Sequence, residues 1–147
     1  MTDRLGKEII CLSTKIKREI HNLDTIKNSS EISGTNGMII GFLYSKKDID
    51  IYQKDIEKEF GFTRSTASNI ISRMEELGYI KRISNNDDLR LKKLVLTEKG
   101  INHQAAVIND LNELELKISN SFTENEANEF VRLIKKLECV LDGDDND

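Results

Sequence analysis

The sequence predicts a mainly α-helical fold: four helices, a two-stranded hairpin, then two further helices. Three observations carry that expectation. Apolar residues recur at three- and four-residue steps through most of the 147 residues, which places them on one face of a helix. Proline is absent, which suits long uninterrupted helices. One segment breaks the helical period, where two short basic runs flank the polar turn SNNDDLR.

The first helix spans about residues 3–23, with Leu5, Ile9, Leu12, Ile16, Ile20 and Leu23 along one stripe. Residues 28–36, rich in Ser, Asn, Gly and Thr, read as a loop. Thr35 or Asn36 then caps a second helix that runs through Met38, Ile39, Phe42 and Leu43 to about Lys46. A short third helix at 52–60 buries Ile56 and Phe60, and Gly61 closes it in the left-handed conformation. Thr63 offers its hydroxyl as N-cap to a fourth helix at 64–77, whose buried stripe is Ala67, Ile70, Ile71, Met74 and Leu77. Gly78 stops that helix, and strands at 79–83 and 91–96 form the hairpin. Thr97 caps a fifth helix of about twenty residues carrying Ile101, Ile108 and Leu116. A sixth helix starts at Thr123, whose hydroxyl with Glu126 makes a capping box, and carries Phe130, Leu133, Ile134, Leu137 and Leu141.

The stripes of the first and last two helices exceed what three short central helices can cover. A helical dimerisation layer is the economical solution. The expected organisation is an N-terminal dimerisation helix and linker at 1–30 and a central lobe at 31–97. C-terminal dimerisation helices at 98–141 and an acidic tail at 142–147 complete it. No stretch approaches the ~18 apolar residues of a membrane span, and the charged N-terminus is no secretory signal. Two distant cysteines, Cys11 and Cys139, suit a reduced cytoplasmic setting.

The net charge of −4 is unevenly spread. Residues 63–93 hold seven Lys/Arg against four Asp/Glu, whereas the terminal DGDDND holds four acids and no base. At ordinary salt, charges beyond ~10 Å are screened, so a phosphate backbone would feel the local excess. The fourth helix turns Arg64, Ser65, Ser68, Asn69, Ser72 and Arg73 away from its apolar stripe. Ser65 and Ser68 are short enough to let a helix approach a groove floor, Arg64 suits guanine or phosphate, and Asn69 suits adenine. Arg73 is placed for backbone, and Thr63 lies at the cap, where free N–H groups favour phosphate. A groove-reading helix followed by a basic hairpin is a winged helix-turn-helix, with double-stranded DNA as its partner. Catalysis is not expected: His21 and His103 lie in separate helices with no nucleophile or zinc arrangement beside them, and no cofactor or metal is implied.

The run from Asp88 to Gly100, DLRLKKLVLTEKG, fits the pattern Asp-x-Arg-x-x-x-hydrophobic-x-Leu-Thr-x-x-Gly. With EELGYIKR before it, this segment resembles the wing of the MarR family of bacterial transcriptional regulators. Length and element order agree across nearly the whole chain. The resemblance implies a homodimer built by the first helix with the last two, and a repressor acting on a pseudo-palindromic operator. It places a recognition helix in each major groove and a wing in each adjacent minor groove. Arg90 would enter the minor groove, Asp88 would orient it, and Lys92 would contact phosphate, with Lys93 on the opposite strand face. The resemblance also implies release by a small amphipathic or aromatic effector, with Ile16, Ile20, Phe42, Leu43 and Tyr44 as candidate walls. Cys11 lies where the peroxide-sensing branch places its reactive thiol, although its apolar neighbours favour packing at a helix interface. Two alternatives stay open: a thiol-based redox regulator acting through Cys11, and a winged helix that binds protein instead of DNA.

Overall fold

A computed structural model describes residues 4–32 and 34–143. Along these residues run α1 (Leu5–His21), α2 (Asp24–Asn28), α3 (Gly34–Ser45), β1 (Ile51–Tyr52), α4 (Gln53–Phe60) and α5 (Arg64–Glu76). They continue with β2 (Ile80–Ser84), β3 (Lys92–Leu96), α6 (Glu98–Ser119) and α7 (Glu124–Asp142). The fold is mainly helical with a small sheet, as the sequence predicts. The chain divides into two compact units, and the boundary between Asp110 and Leu111 falls inside α6.

In the first unit the apolar stripes of α3, α4 and α5 converge on the sheet. Ile39, Ile40, Ile56, Ile71, Met74 and Ile80 are fully buried, joined by Leu43, Ile51, Tyr79 and Leu94. Each such side chain contributes roughly 1.5–3 kcal/mol through loss of contact with water. The sheet has strand order β1-β3-β2, both pairs antiparallel, with Ile51 opposite Leu94 and Ile80 opposite Leu96. The hairpin is therefore not free-standing. β1 pins its inner edge to the segment that leads into α4.

Several expected boundaries move. α1 ends at His21, two residues short of the expected end at Leu23, and the short helix α2 follows it. α3 begins at Gly34, so Thr35 and Asn36 lie in its first turn and do not cap it. Tyr52 belongs to β1, and α4 is capped from its third residue, where the Asp55 carboxylate accepts the Tyr52 N–H at 2.8 Å. Both hairpin strands begin one residue later than expected. The cap at Thr63 is formed by its Oγ1 accepting the Thr66 N–H at 3.2 Å. Gly61 sits at φ 66°, a left-handed conformation that a side chain would strain. Cys11 and Cys139 are both exposed in the single chain. Of the acidic tail, residues 144–147 lie outside the described residues.

The joint between α5 and α6 is closely hydrogen-bonded. Thr97 N–H donates to Tyr79 O at 3.0 Å, and its hydroxyl donates to Gly78 O at 2.5 Å while accepting the Gly100 N–H at 3.2 Å. Lys99 Nζ donates to Leu77 O at 2.8 Å, satisfying a carbonyl at the end of α5. Gly100 is buried, and a methyl group there would collide with Tyr79 O. In the second unit, Thr123 and Glu126 form the reciprocal cap of α7, and Phe122 stacks on Phe130 at 5.7 Å. Neither α1 nor α7 buries a residue within the single chain.

Gly100→Ala should cost roughly 1–3 kcal/mol by overpacking. It should appear as a lower urea midpoint at unchanged slope. Gly34→Ala, where an added methyl meets nothing within 4 Å, should show no such loss.

Candidate nucleic-acid interface

Helix α5 has two sides with different chemistry. Ala67, Ile71 and Met74 are buried, which fixes the rotation of the helix on the core. Arg64, Ser65, Asn69 and Arg73 are exposed on the remaining surface, and Ser68 and Ser72 are half-buried at its margin. Thr63 is tied up as the cap. Arg73 pairs with Glu76 at 3.3 Å in an exposed contact worth little. Ser72 accepts from Arg82 of β2 at 3.2 Å, and Arg82 also pairs with Glu75 at 3.3 Å. The guanidinium thereby clasps the wing to the last turns of α5.

The wing is ordered by its own short polar side chains. Asn85 Oδ1 accepts the Asp87 N–H at 2.9 Å, and Asp88 Oδ1 accepts the Arg90 N–H at 2.9 Å. The same Asp88 oxygen accepts from Arg90 Nε at 3.3 Å. Arg90 is steadied near its root while its side chain stays 92% exposed. Lys92 and Lys93 point apart, as strand neighbours must. Lys92 donates to Ser84 Oγ at 2.8 Å, and Lys93 pairs with Asp50 at 2.5 Å. Asn85 Nδ2 donates to the Tyr52 hydroxyl at 3.1 Å, binding the wing to β1.

A cleft of about 400 Å³ opens between α4, the start of α5 and the wing. Its walls include Lys54, Arg64, Arg82, Arg90 and Lys92, with Tyr52, Gln53 and, among the described residues, a single carboxylate, Glu57. Three of the expected contact residues, Arg64, Arg90 and Lys92, thus share one concavity. Lys54 and Arg82 were not singled out from the sequence. Arg82 lies opposite Leu94 in the β2–β3 register, so strand alternation was the available signal.

The expected effector residues lie on α1 and α3. Phe42 packs edge-on against Phe60 at 5.8 Å, and Ile16 and Ile20 are half-buried on α1. Leu43 and Tyr44 line a second cleft of about 410 Å³ with Ile49, Ile51 and Ile101, where Lys46, Lys47 and Lys93 supply positive charge. Among the described residues, no group of three His, Cys, Asp or Glu could hold a metal ion. No helix among them is long and apolar enough to cross a membrane.

A polar brace adjoins the joint between α5 and α6. The Tyr79 hydroxyl donates to Glu31 Oε1 at 2.5 Å, and Lys99 Nζ donates to the same oxygen at 3.2 Å while lying 4.3 Å over the Tyr79 ring. These two hydrogen bonds hold the Glu31 carboxyl below its ordinary range. Burial, reinforced by Glu31, pushes the Tyr79 phenol up to about 12. His103 is half-buried edge-on to Tyr79 and 3.3 Å from Ser29 Oγ, and burial lowers its pKa.

A model of the MarR family matches residues 30–91. The HTH-type transcriptional regulator BilQ of Clostridioides difficile is 31% identical over 108 residues, covering 74% of this chain and 71% of BilQ. A mutant of S. aureus MepR bound to an oligodeoxyribonucleotide superposes with TM-score 0.72 at 24% identity, over 92% of this chain and 96% of that one. The heme sensor protein PefR from Streptococcus agalactiae, in complex with heme, gives TM-score 0.65 at 27% identity, over 100% and 99% of the two chains.

The brace is open to direct titration. Tyr79 should keep its proton past the ordinary value of 10.0 and ionise near 12, read as the phenolate absorbance that Tyr79→Phe removes. Because the folded state holds that proton more tightly, its stabilising contribution is intact below pH 10 and falls away as pH climbs towards about 12.

Proposed function

Because the chain belongs to the MarR family of transcriptional regulators, we propose that it binds a pseudo-palindromic operator as a homodimer and represses transcription there. The observation that carries this reading is the cleft that brings Arg64 of α5 together with Arg90 and Lys92 of the wing. Major groove and adjacent minor groove can then be engaged by one rigid lobe. α5 reads base edges with Arg64, Ser65, Ser68 and Asn69, which are small or forked polar groups. The wing inserts Arg90, held at its root by Asp88, into the neighbouring minor groove. Thr63 and Arg73 flank the helix at phosphate positions, and Lys92 adds a further phosphate contact.

Dimerisation is supported by what the single chain leaves uncovered. Leu5, Ile9 and Leu12 of α1 are exposed, as are Phe130, Leu133 and Ile134 of α7. Apolar stripes of that length are removed from water when two copies meet, and two copies match the symmetry of a palindrome. A small amphipathic anion acts as effector, seated at the apolar cleft of Leu43, Tyr44 and Ile101 with its lysine rim. It releases the operator by binding one arrangement of the lobes better than the other.

Selection from random duplexes should return an inverted repeat with half-sites ~10 base pairs apart. On that operator Arg90→Ala should weaken binding by ~1–3 kcal/mol at fixed salt, while sedimentation still reports a dimer. Recovery of no consensus, or unchanged affinity of the variant, would refute the assignment of the wing. Affinity should also fall with salt at a slope of about −0.9 per neutralised phosphate; a flat response would instead favour a protein partner.

A further inference from the structure

We infer that the cleft between α4, α5 and the wing is a seat for one DNA backbone phosphodiester, with Lys54 of α4 as its dedicated contact. The inference rests on the operator-binding reading above and extends it to a third element, since α4 is neither the reading helix nor the wing. The lining residues are charged out of balance. Lys54, Arg64, Arg82, Arg90 and Lys92 face one carboxylate, and that carboxylate, Glu57, already accepts from Gln53 Nε2 at 3.0 Å. Arg82 is partly neutralised by Glu75, and Arg90 by Asp88. Among the described residues neither Lys54 nor Arg64 enters a salt bridge, and Lys92 meets only a hydroxyl. Cations brought together in a concavity repel one another, and the surrounding low-dielectric walls focus their field outward. An anion relieves that repulsion.

The geometry points to the phosphodiester between the two grooves. Lys54 lies in the first turn of α4 and Arg64 opens α5, so two helix starts, each with free N–H groups, flank the cleft. Gln53 fixes them to each other, because its Nε2 also donates to Arg64 O at 3.2 Å. On the other wall stand Arg90 and Lys92 of the wing. A strand passing from the groove read by α5 to the groove entered by Arg90 must cross this gap. A phosphate seated there fixes the lobe along the duplex axis without reading a base.

The test compares the full-length dimer and its Lys54→Ala and Lys58→Ala variants on the selected operator across a salt series. Lys58 is on the same helix but outside the cleft, so it controls for loss of one charge. Lys54→Ala should bind more weakly, with a salt slope shallower by roughly 0.9 per protomer, whereas Lys58→Ala keeps the wild-type slope. Replacing single operator phosphates by neutral methylphosphonates should reveal one position per half-site that weakens the wild type and leaves Lys54→Ala unaffected. Free inorganic phosphate at matched ionic strength should not displace the duplex; displacement that depended on Lys54 would make the cleft a site for a soluble anion and overturn the proposal. A Lys54→Ala variant with the wild-type slope and affinity would overturn it as well. If the wild type binds and Arg90→Ala weakens it while Lys54→Ala is silent, the seat alone fails. If the wild type ignores every duplex, the operator reading fails with it.

Discussion

Thr97 pins three elements of the first unit at one joint. Its backbone and hydroxyl together hold Gly78, Tyr79 and Gly100, so the end of α5, the start of β2 and the first turn of α6 meet at one point. Gly100 is what makes that meeting close enough, since only a residue without a side chain fits against Tyr79 O. Lys99 then reaches back to the last carbonyls of α5 and to Glu31. A helix presented to a groove must not rotate, because its short side chains have no reach to compensate. Here rotation is blocked from below by Ala67, Ile71 and Met74 and from the end by this joint.

The same joint explains why the wing follows the helix. β2 leaves directly from the pinned turn, and Arg82 bridges it sideways to Ser72 and Glu75. β1, only two residues long, holds the far side of the hairpin through Ile51 and the Tyr52–Asn85 contact. Helix and wing are therefore held as one piece. The overall charge of −4 is not mirrored at the cleft, where five cations stand against Glu57.

Much of this was legible in the sequence because each signal was local. The Thr63 and Thr123 caps, the Gly61 stop and the 3.6-residue stripe of α5 depend on residues within four positions of one another. The pattern from Asp88 to Gly100 could be recognised for its family, yet its physical reason needed the structure: Thr97 and Gly100 act on Gly78 and Tyr79, a contact between elements. β1 could not be seen, since two residues carry no alternation and exist as a strand only because Leu94 and Lys93 lie opposite. α2 was hidden for a similar reason, its five residues being too few to show a period. In the candidate interface, residues on the exposed face of α5 were found by helical geometry. Lys54 was missed because it belongs to a helix whose own pattern says nothing about the wing across from it.

One consequence follows from the division of labour along α5. The side chains that hold it in place are Ala67, Ile71 and Met74, while Arg64, Ser65 and Asn69 touch little of the protein's own interior. Replacing the outward set therefore costs the fold almost nothing. Under the operator-binding proposal, the same separation lets a duplicated copy change its target at those positions while inheriting an intact scaffold.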